Sequence, residues 1–525
     1  MTLKLKHHKN KFFILILFFF SIIINQYYGN LGAFPMDSFH FFDSGFRVLN
    51  GEAPFTDYWL VKGPLLDCIQ ALFFYLFGTN FQAYVLHASL INSLITIATF
   101  FVLKEFELKT TYCFIYSLLL SILAYPSSGT PFIDHHSAFF SLLAIYCLLL
   151  GIKNDKKIYL ILIPILLIFA FLSKQVPAAY VAISIIIILL FQFIKTKEIS
   201  NLLYFSISFF SFSLITLLIG KFLGIKFYYF LDQYIFYPQT IGSTRFENLS
   251  LSFDILERFI FIIISILPLA LINLRNFFKK KDKEKNNQFY IFLIMFFYTI
   301  SLILHQLLTK NQIFIFFLIP ILLAFSHISL EKSKIKNKKI ITFVLIFLCI
   351  FATYKYHLRY NEGRKFHELQ NVNFELAVQG SKISKNLKGL NWITPQFKNN
   401  PEEEINIINN ISHILKKDKR NKMLITNYPF FSVILDENFF SPSRVYTGDG
   451  TTHPIKNNKY AKTYKILIDN LIKKNNIEVI YVTNVVDDNI NLKYLNFDYI
   501  DSYKNCFKKI SIIEELVMYN LKSCN

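Results

Sequence analysis

The sequence predicts an α-helical polytopic membrane protein of about eleven transmembrane helices, followed by a small C-terminal α/β extracytoplasmic domain. Three observations carry this. Apolar runs fill most of residues 12–356, Lys and Arg gather in every second gap between them, and the long apolar runs stop at residue 357.

Of the 525 residues 54% are hydrophobic and 18% aromatic, too apolar a composition for a soluble chain of this length. The net charge of +20 would point to nucleic acid if it formed a patch on a soluble surface. Instead it lies in short gaps between apolar segments, so it reports topology, and nucleic acid is excluded as a partner.

A run of about 20 apolar residues crosses the hydrocarbon core as a helix, because lipid offers no partner to an unpaired peptide group. Such runs lie near 12–28, 82–103, 112–126, 132–150, 158–173, 177–194, 201–222, 257–274, 289–308, 313–329 and 340–356. The first follows a basic start and has only a weak small-residue site, Leu31-Gly32-Ala33, behind it. It therefore reads as a retained helix rather than a cleaved signal peptide.

The gaps 1–11, 104–111, 151–157, 195–200, 275–288 and 331–339 hold about 22 Lys or Arg, against about six in the alternate gaps. Positive charge stays on the cytoplasmic side. The N-terminus is thus expected in the cytoplasm of a multi-pass protein of the inner (plasma) membrane. An odd number of spans then puts residues 357–525 in the periplasm or outside the cell, and residues 1–356 form the membrane module.

In the C-terminal domain, Met423–Asn427 and Val479–Thr483 read as strands and Tyr464–Lys474 has helical spacing, which makes a small α/β unit. Alternation over Lys509–Ile513 and Leu516–Leu521, broken by Glu514-Glu515, predicts a hairpin. Cys506 and Cys524 flank it on the oxidising side, where a disulfide is the expectation and two free thiols the alternative. The other four cysteines lie in or beside apolar helices as small hydrophobes.

The loop at about 29–80 holds most of the unusual polar residues: Met36-Asp37-Ser-Phe-His40, Asp43, Arg47, then Gly51-Glu-Ala-Pro54-Phe55-Thr-Asp57-Tyr58-Trp59-Leu-Val-Lys62-Gly63-Pro64. Long loops that carry charge at a membrane surface are commonly functional. The order Asp, LxGxxPFxDYW, KGPL and a following apolar segment resembles the first outer loop of the GT-C glycosyltransferases. The similarity is to the aminoarabinose transferases of lipid A, the protein O-mannosyltransferases and the Rgt-type transferases. Asp134 in PFIDHHSAFF and Lys174 in FLSKQVP agree with it, and the likeness covers about residues 30–195. Two departures stand out: Asp37-Ser38 replaces the usual acidic pair, and Lys62-Gly63-Pro64 replaces Lys-Pro-Pro.

The resemblance implies a GT-C-like fold and an inverting transfer of a sugar from a polyprenyl-phosphate donor to a glycan, lipid or protein acceptor. Such a reaction needs a base for the acceptor proton and cations for the departing phosphate. Asp37 is the candidate base. Arg47, Lys62 and Lys174 are candidates for the phosphate, and Asp57, Asp134 and Arg245 for substrate binding. Each has a plainer alternative: snorkelling for the lysines, an Asx-type loop bond for Asp57, and helix capping for Asp134. Asp134, His135 and His136 invite a divalent-cation reading, but neighbours on a helix point about 100° apart. A transporter or flippase of lipid-linked sugars is the competing function. It would place charges on broken helices near the bilayer midplane, whereas here the polar residues cluster at one face.

Overall fold

The computed structural model describes residues 2–241, 257–277, 283–309, 313–446, 450–483, 485 and 508–521. Each of the eleven apolar runs is helical, the run near 313–329 as a 3-10 turn, Ile313–Ile315, followed by helix Leu318–Lys332. Among the described residues seven helices are long and apolar enough to cross a membrane: Asn10–Gly29, Phe81–Glu105, Ile133–Asn154, Gln175–Thr196, Ser200–Phe222, Gln288–Thr309 and Lys338–His367. The remaining runs form shorter helices, Thr110–Leu123, Lys157–Ser173, Ile260–Phe277 and Leu318–Lys332. The chain divides into two compact units.

The first unit comprises residues 1–28, 88–216 and 248–366. Helix Ile133–Asn154 is its centre, with 72% of its apolar window buried against 11% for Ser200–Phe222, which leaves the latter to face lipid. Several polar side chains inside the bundle pair with one another or with carbonyls, as an apolar solvent favours. Asn25 Nδ2 donates to Ser89 Oγ and the Gly129 carbonyl, both at 3.1 Å. Asn92 Nδ2 donates to the Ser121 carbonyl at 3.0 Å, and Asn273 Nδ2 to Ser329 Oγ at 3.1 Å. The buried Arg364 guanidinium spans the carbonyls of Pro126, Ser127 and Ser128, which satisfies the chain just past helix Thr110–Leu123.

The second unit gathers residues 29–87, 217–247 and 367–525, so the first long loop folds with the C-terminal segment. Its strands are β1 (Val378–Gln379), β2 (Asn391–Trp392), β3 (Lys422–Ile425), β4 (Val479–Thr483), β5 (Lys508–Ile513) and β6 (Leu516–Asn520). β1 and β2 pair antiparallel; the other four form one sheet in the order β3-β4-β6-β5. β3 and β4 are parallel, joined through helix Ala461–Lys474, while β5 and β6 form the antiparallel hairpin that the alternation predicts. β3 and β4 are buried along their full length, as their mostly apolar residues favour, with Lys422 at the start of β3 paired to Glu437.

Helix Pro401–Lys417 precedes the sheet with Pro at its first turn, Glu402, Glu403 and Glu404 beside it, and Lys416 and Lys417 at its end. That distribution matches the helix dipole at both termini. Trp59 from the loop and Tyr237 pack edge-on and join Met423, Ile425, Tyr464 and Ile480 in one core.

Candidate functional site

The site in the second unit is built on helix His40–Leu49, most of which is buried, and on the turn after it. Asp43 and Arg47 are four residues apart and so share a face. Gly51 takes a φ of +89°, turning the chain so that Glu52 returns to the arginine. Arg47 Nε and Nη2 then reach Glu52 Oε2 at 2.8 and 2.6 Å, Asp43 lies 4.0 Å from Nη1, and the guanidinium stacks 4.3 Å over Tyr58. Arg47 also donates to the Ser441 carbonyl, and Asp43 accepts from Ser432 Oγ at 2.6 Å.

Helix Leu65–Phe77 brings Asp67 into this network. Its carboxylate accepts from Ser44 Oγ at 2.8 Å and Tyr58 OH at 2.9 Å, and pairs with Arg444. Contact between the two helices depends on Gly45, where an added Cβ would fall 2.5 Å from Gln70 Cγ. Burial pushes the carboxyls of Asp43 and Glu52 upward against the pull of Arg47, whose own value rises through Glu52 and Asp43 against the cost of burial.

Beside this network His40, Trp59, Lys62 and Arg444 line a narrow, open cleft with a cavity volume of about 20 Å³. Their buried polar atoms point to one ligand chemistry. Trp59 Nε1, His40 Nε2 and Arg444 Nε and Nη1 all lack a hydrogen-bond partner. Lys62 Nζ stands 3.5 Å from His40 Nδ1, and an ammonium only donates. The ring proton therefore resides on Nε2. Burial, with Lys62 and Arg444 adding to it, holds the His40 ring well below its ordinary value, so it is neutral near pH 7. Every unmet group in the cleft is then a donor, and two of the lining side chains are cations. An anion with several acceptor oxygens satisfies such a set.

Asp37 sits in the short helix Pro35–Ser38, three residues before His40, and is partly exposed. Asp57 accepts from the Ala53 amide at 2.8 Å and pairs with Lys474, the loop-fixing geometry weighed as its alternative. Arg47 is engaged by protein partners as described. Arg245, Cys506 and Cys524 lie outside the described residues.

The first unit holds a separate polar cluster. Lys174 Nζ and His305 Nε2 each lie 2.7 Å from Asp134 Oδ1. Asp134 does not cap its helix; Phe132 occupies that position without a side-chain cap. His135 and His136 turn elsewhere. His135 is 3.4 and 3.3 Å from Ser127 and Ser128 Oγ, and His136 bonds Tyr125. The three do not converge, as the angular offset of neighbouring helix residues requires, and among the described residues no group of three or more His, Cys, Asp or Glu could hold a metal ion.

Sequence reasoning did not single out His305, Asp67, Glu52, Trp59 or Arg444 as site residues. The available signal for Arg444 was compositional: Arg is scarce in this Lys-rich chain, and its fork suits buried pairing better than an ammonium does.

Fold and site together define a polytopic helical membrane protein with a donor-lined cleft in its second unit. Residues 61–219, less than a third of the chain, match the family model of dolichyl-phosphate-mannose-protein mannosyltransferases, in agreement with the resemblance of the loop motifs to GT-C membrane glycosyltransferases. Solved structures similar to the chain include ArnT from Cupriavidus metallidurans in the apo state, at 10% identity and a TM-score of 0.49 over 100% of both chains. The same protein bound to undecaprenyl phosphate gives 9% identity and a TM-score of 0.48 over 97% of each chain. No curated protein matches the sequence.

Proposed function

We propose that the chain is a glycosyltransferase that moves a sugar from a polyprenyl-phosphate donor to an extracytoplasmic glycan, lipid or protein acceptor. The observation that carries this reading is the cleft in which His40, Trp59 and Arg444 present donors without acceptors beside Lys62. The family match over residues 61–219 supports the reaction class.

In this reaction Asp37 takes the proton of the acceptor hydroxyl as its oxygen attacks the anomeric carbon from the face opposite the phosphate. The bond from that carbon to the phosphate oxygen breaks, and the polyprenyl phosphate leaves with the electron pair. Its new charge is held by Lys62 and the unmet donors of His40, Trp59 and Arg444, groups already oriented before reaction, which is where electrostatic stabilisation is most effective. One base and one displacement give inversion. Arg47, fixed by Glu52 and Asp43, is a positioning residue for the loop, as Asp57 is. The cluster of Asp134, Lys174 and His305 is assigned to substrate recognition. No divalent cation is needed by this scheme.

The test is mass spectrometry of surface glycans, lipids and polyprenyl-phosphate sugars in a strain lacking the chain, compared with one carrying Asp37→Asn. Loss of one sugar from the surface, with accumulation of its polyprenyl-phosphate form, is expected in both. A flippase would instead leave Asp37→Asn with a normal surface, since no proton is transferred.

A further inference from the structure

The first unit contains a second cavity of about 180 Å³. It forms where helices Phe81–Glu105, Ile133–Asn154 and Leu318–Lys332 have their C-termini and the apolar part of helix Lys283–Thr309 begins. Lys153, Lys332, Gln288 and Tyr290 line it together with Phe106 and Ile294. These ends border the Lys-rich gaps 104–111, 151–157, 275–288 and 331–339.

Lysines at helix C-termini complement the helix dipole, and that would account for Lys153 and Lys332 as ordinary features. It does not account for Tyr290. This ring is only 5% exposed, yet its hydroxyl has no hydrogen-bond partner in a cavity wall that also carries two ammonium groups. An unmet buried hydroxyl is destabilising, and a ligand acceptor would recover that loss. Lys195 Nζ adds a further positive charge 5.6 Å from the Tyr290 ring. Asn154 Nδ2 donates to the Glu105 carboxylate at 3.0 Å, and Lys153 donates to the Glu105 carbonyl and lies 5.0 Å over the Phe106 ring, which leaves further ammonium protons for a ligand. Apart from Gln288 the rest of the wall is apolar.

We infer that this cavity binds the headgroup of an anionic phospholipid. The phosphate is held by Lys153, Lys332 and the Tyr290 hydroxyl, and an acyl chain leaves along the apolar wall. Basic pockets between membrane helices at the positively charged face suit such headgroups, and the cavity joins charge to hydrocarbon in the order a lipid does.

The experiment uses the purified full chain in a neutral detergent, with its thermal unfolding followed during titration with phosphatidylglycerol, phosphatidylcholine or inorganic phosphate. Phosphatidylglycerol is expected to raise the midpoint, while the other two leave it unchanged. The K153Q/K332Q double variant should unfold like wild type in detergent alone and lose most of the phosphatidylglycerol response. An equal shift with phosphatidylcholine, a shift reproduced by inorganic phosphate, or a full response in the double variant overturns the proposal. If the double variant fails to fold, Tyr290→Phe decides. Losing one hydrogen bond to a charged phosphate weakens the response roughly tenfold, and an unchanged response removes the site.

Discussion

Asp67 and Arg444, 377 residues apart in sequence, form an ion pair whose side chains are 0% and 6% exposed. The pair ties the first long loop to the C-terminal segment and aims the remaining Arg444 donors at the cleft. Breaking it from one side leaves a buried charge without its partner, which costs about 3–5 kcal/mol. Asp67→Ala should therefore lower the unfolding temperature of the purified protein strongly. The double variant Asp67→Leu/Arg444→Met, which removes both charges, should recover much of the loss, and calorimetry of the two side by side measures the difference.

Lys62→Met removes a cation from the cleft while keeping its length. A hydrogen bond to a charged group contributes about 1.5–3 kcal/mol, so binding of a polyprenyl phosphate to the purified protein should weaken by roughly tenfold to a hundredfold. Fluorescence or mass-spectrometric titration reads this. Unaltered affinity would place the phosphate elsewhere.

Asp37→Asn keeps the shape of the base and removes its ability to accept the acceptor's proton. General-base catalysis contributes about 10²–10⁴ in rate, so turnover should fall by at least a hundredfold while insertion, unfolding temperature and polyprenyl-phosphate binding stay near wild type. Retained turnover would dismiss Asp37 as the base.

Glu404 is fully buried and accepts from Trp392 Nε1, Thr394 Oγ1 and Tyr428 OH at 2.8, 2.9 and 2.7 Å. Burial outweighs these bonds and pushes its carboxyl up to about 7. A carboxyl raised in the folded state binds a proton there that the unfolded chain has released. Its stabilising effect is whole below the unfolded value near 4.5 and is lost as pH climbs to about 7. The full change amounts to about 3 kcal/mol. Hydrogen exchange of helix Pro401–Lys417 should accelerate between pH 5 and 7.5 beyond the intrinsic rate, and Glu404→Gln, which cannot ionise, should flatten that dependence.

The charge asymmetry predicts that reporters at the N-terminus or within 279–288 are cytoplasmic and one at residue 525 is external. Fusions of a phosphatase active only outside the membrane test all three. An external 279–288 loop would reverse the assignment of faces.

Much of the architecture was legible because it rests on local signals. Lipid enforces helices on apolar runs, so all eleven runs became helical. Alternation about Glu514-Glu515 specified the β5–β6 hairpin, and two mostly apolar segments specified the buried strands β3 and β4. Helix Pro401–Lys417 was also written locally, in its Pro start, acidic first turn and basic last turn, although its polar surface hid it from a search for apolar runs.

What the sequence by itself determined, then, was where backbone must be satisfied internally and on which residues charge is concentrated. These are properties of short windows read against a solvent. Only the tertiary structure decided that Arg47 is fixed by Glu52 and Asp43, that Lys174 shares Asp134 with His305, and that Arg444 reaches Asp67 beside His40, Trp59 and Lys62. The physical reason is that a buried charge takes its pKa, its partners and its unmet donors from groups folded around it. Those groups lie up to hundreds of residues away, and no local pattern records them.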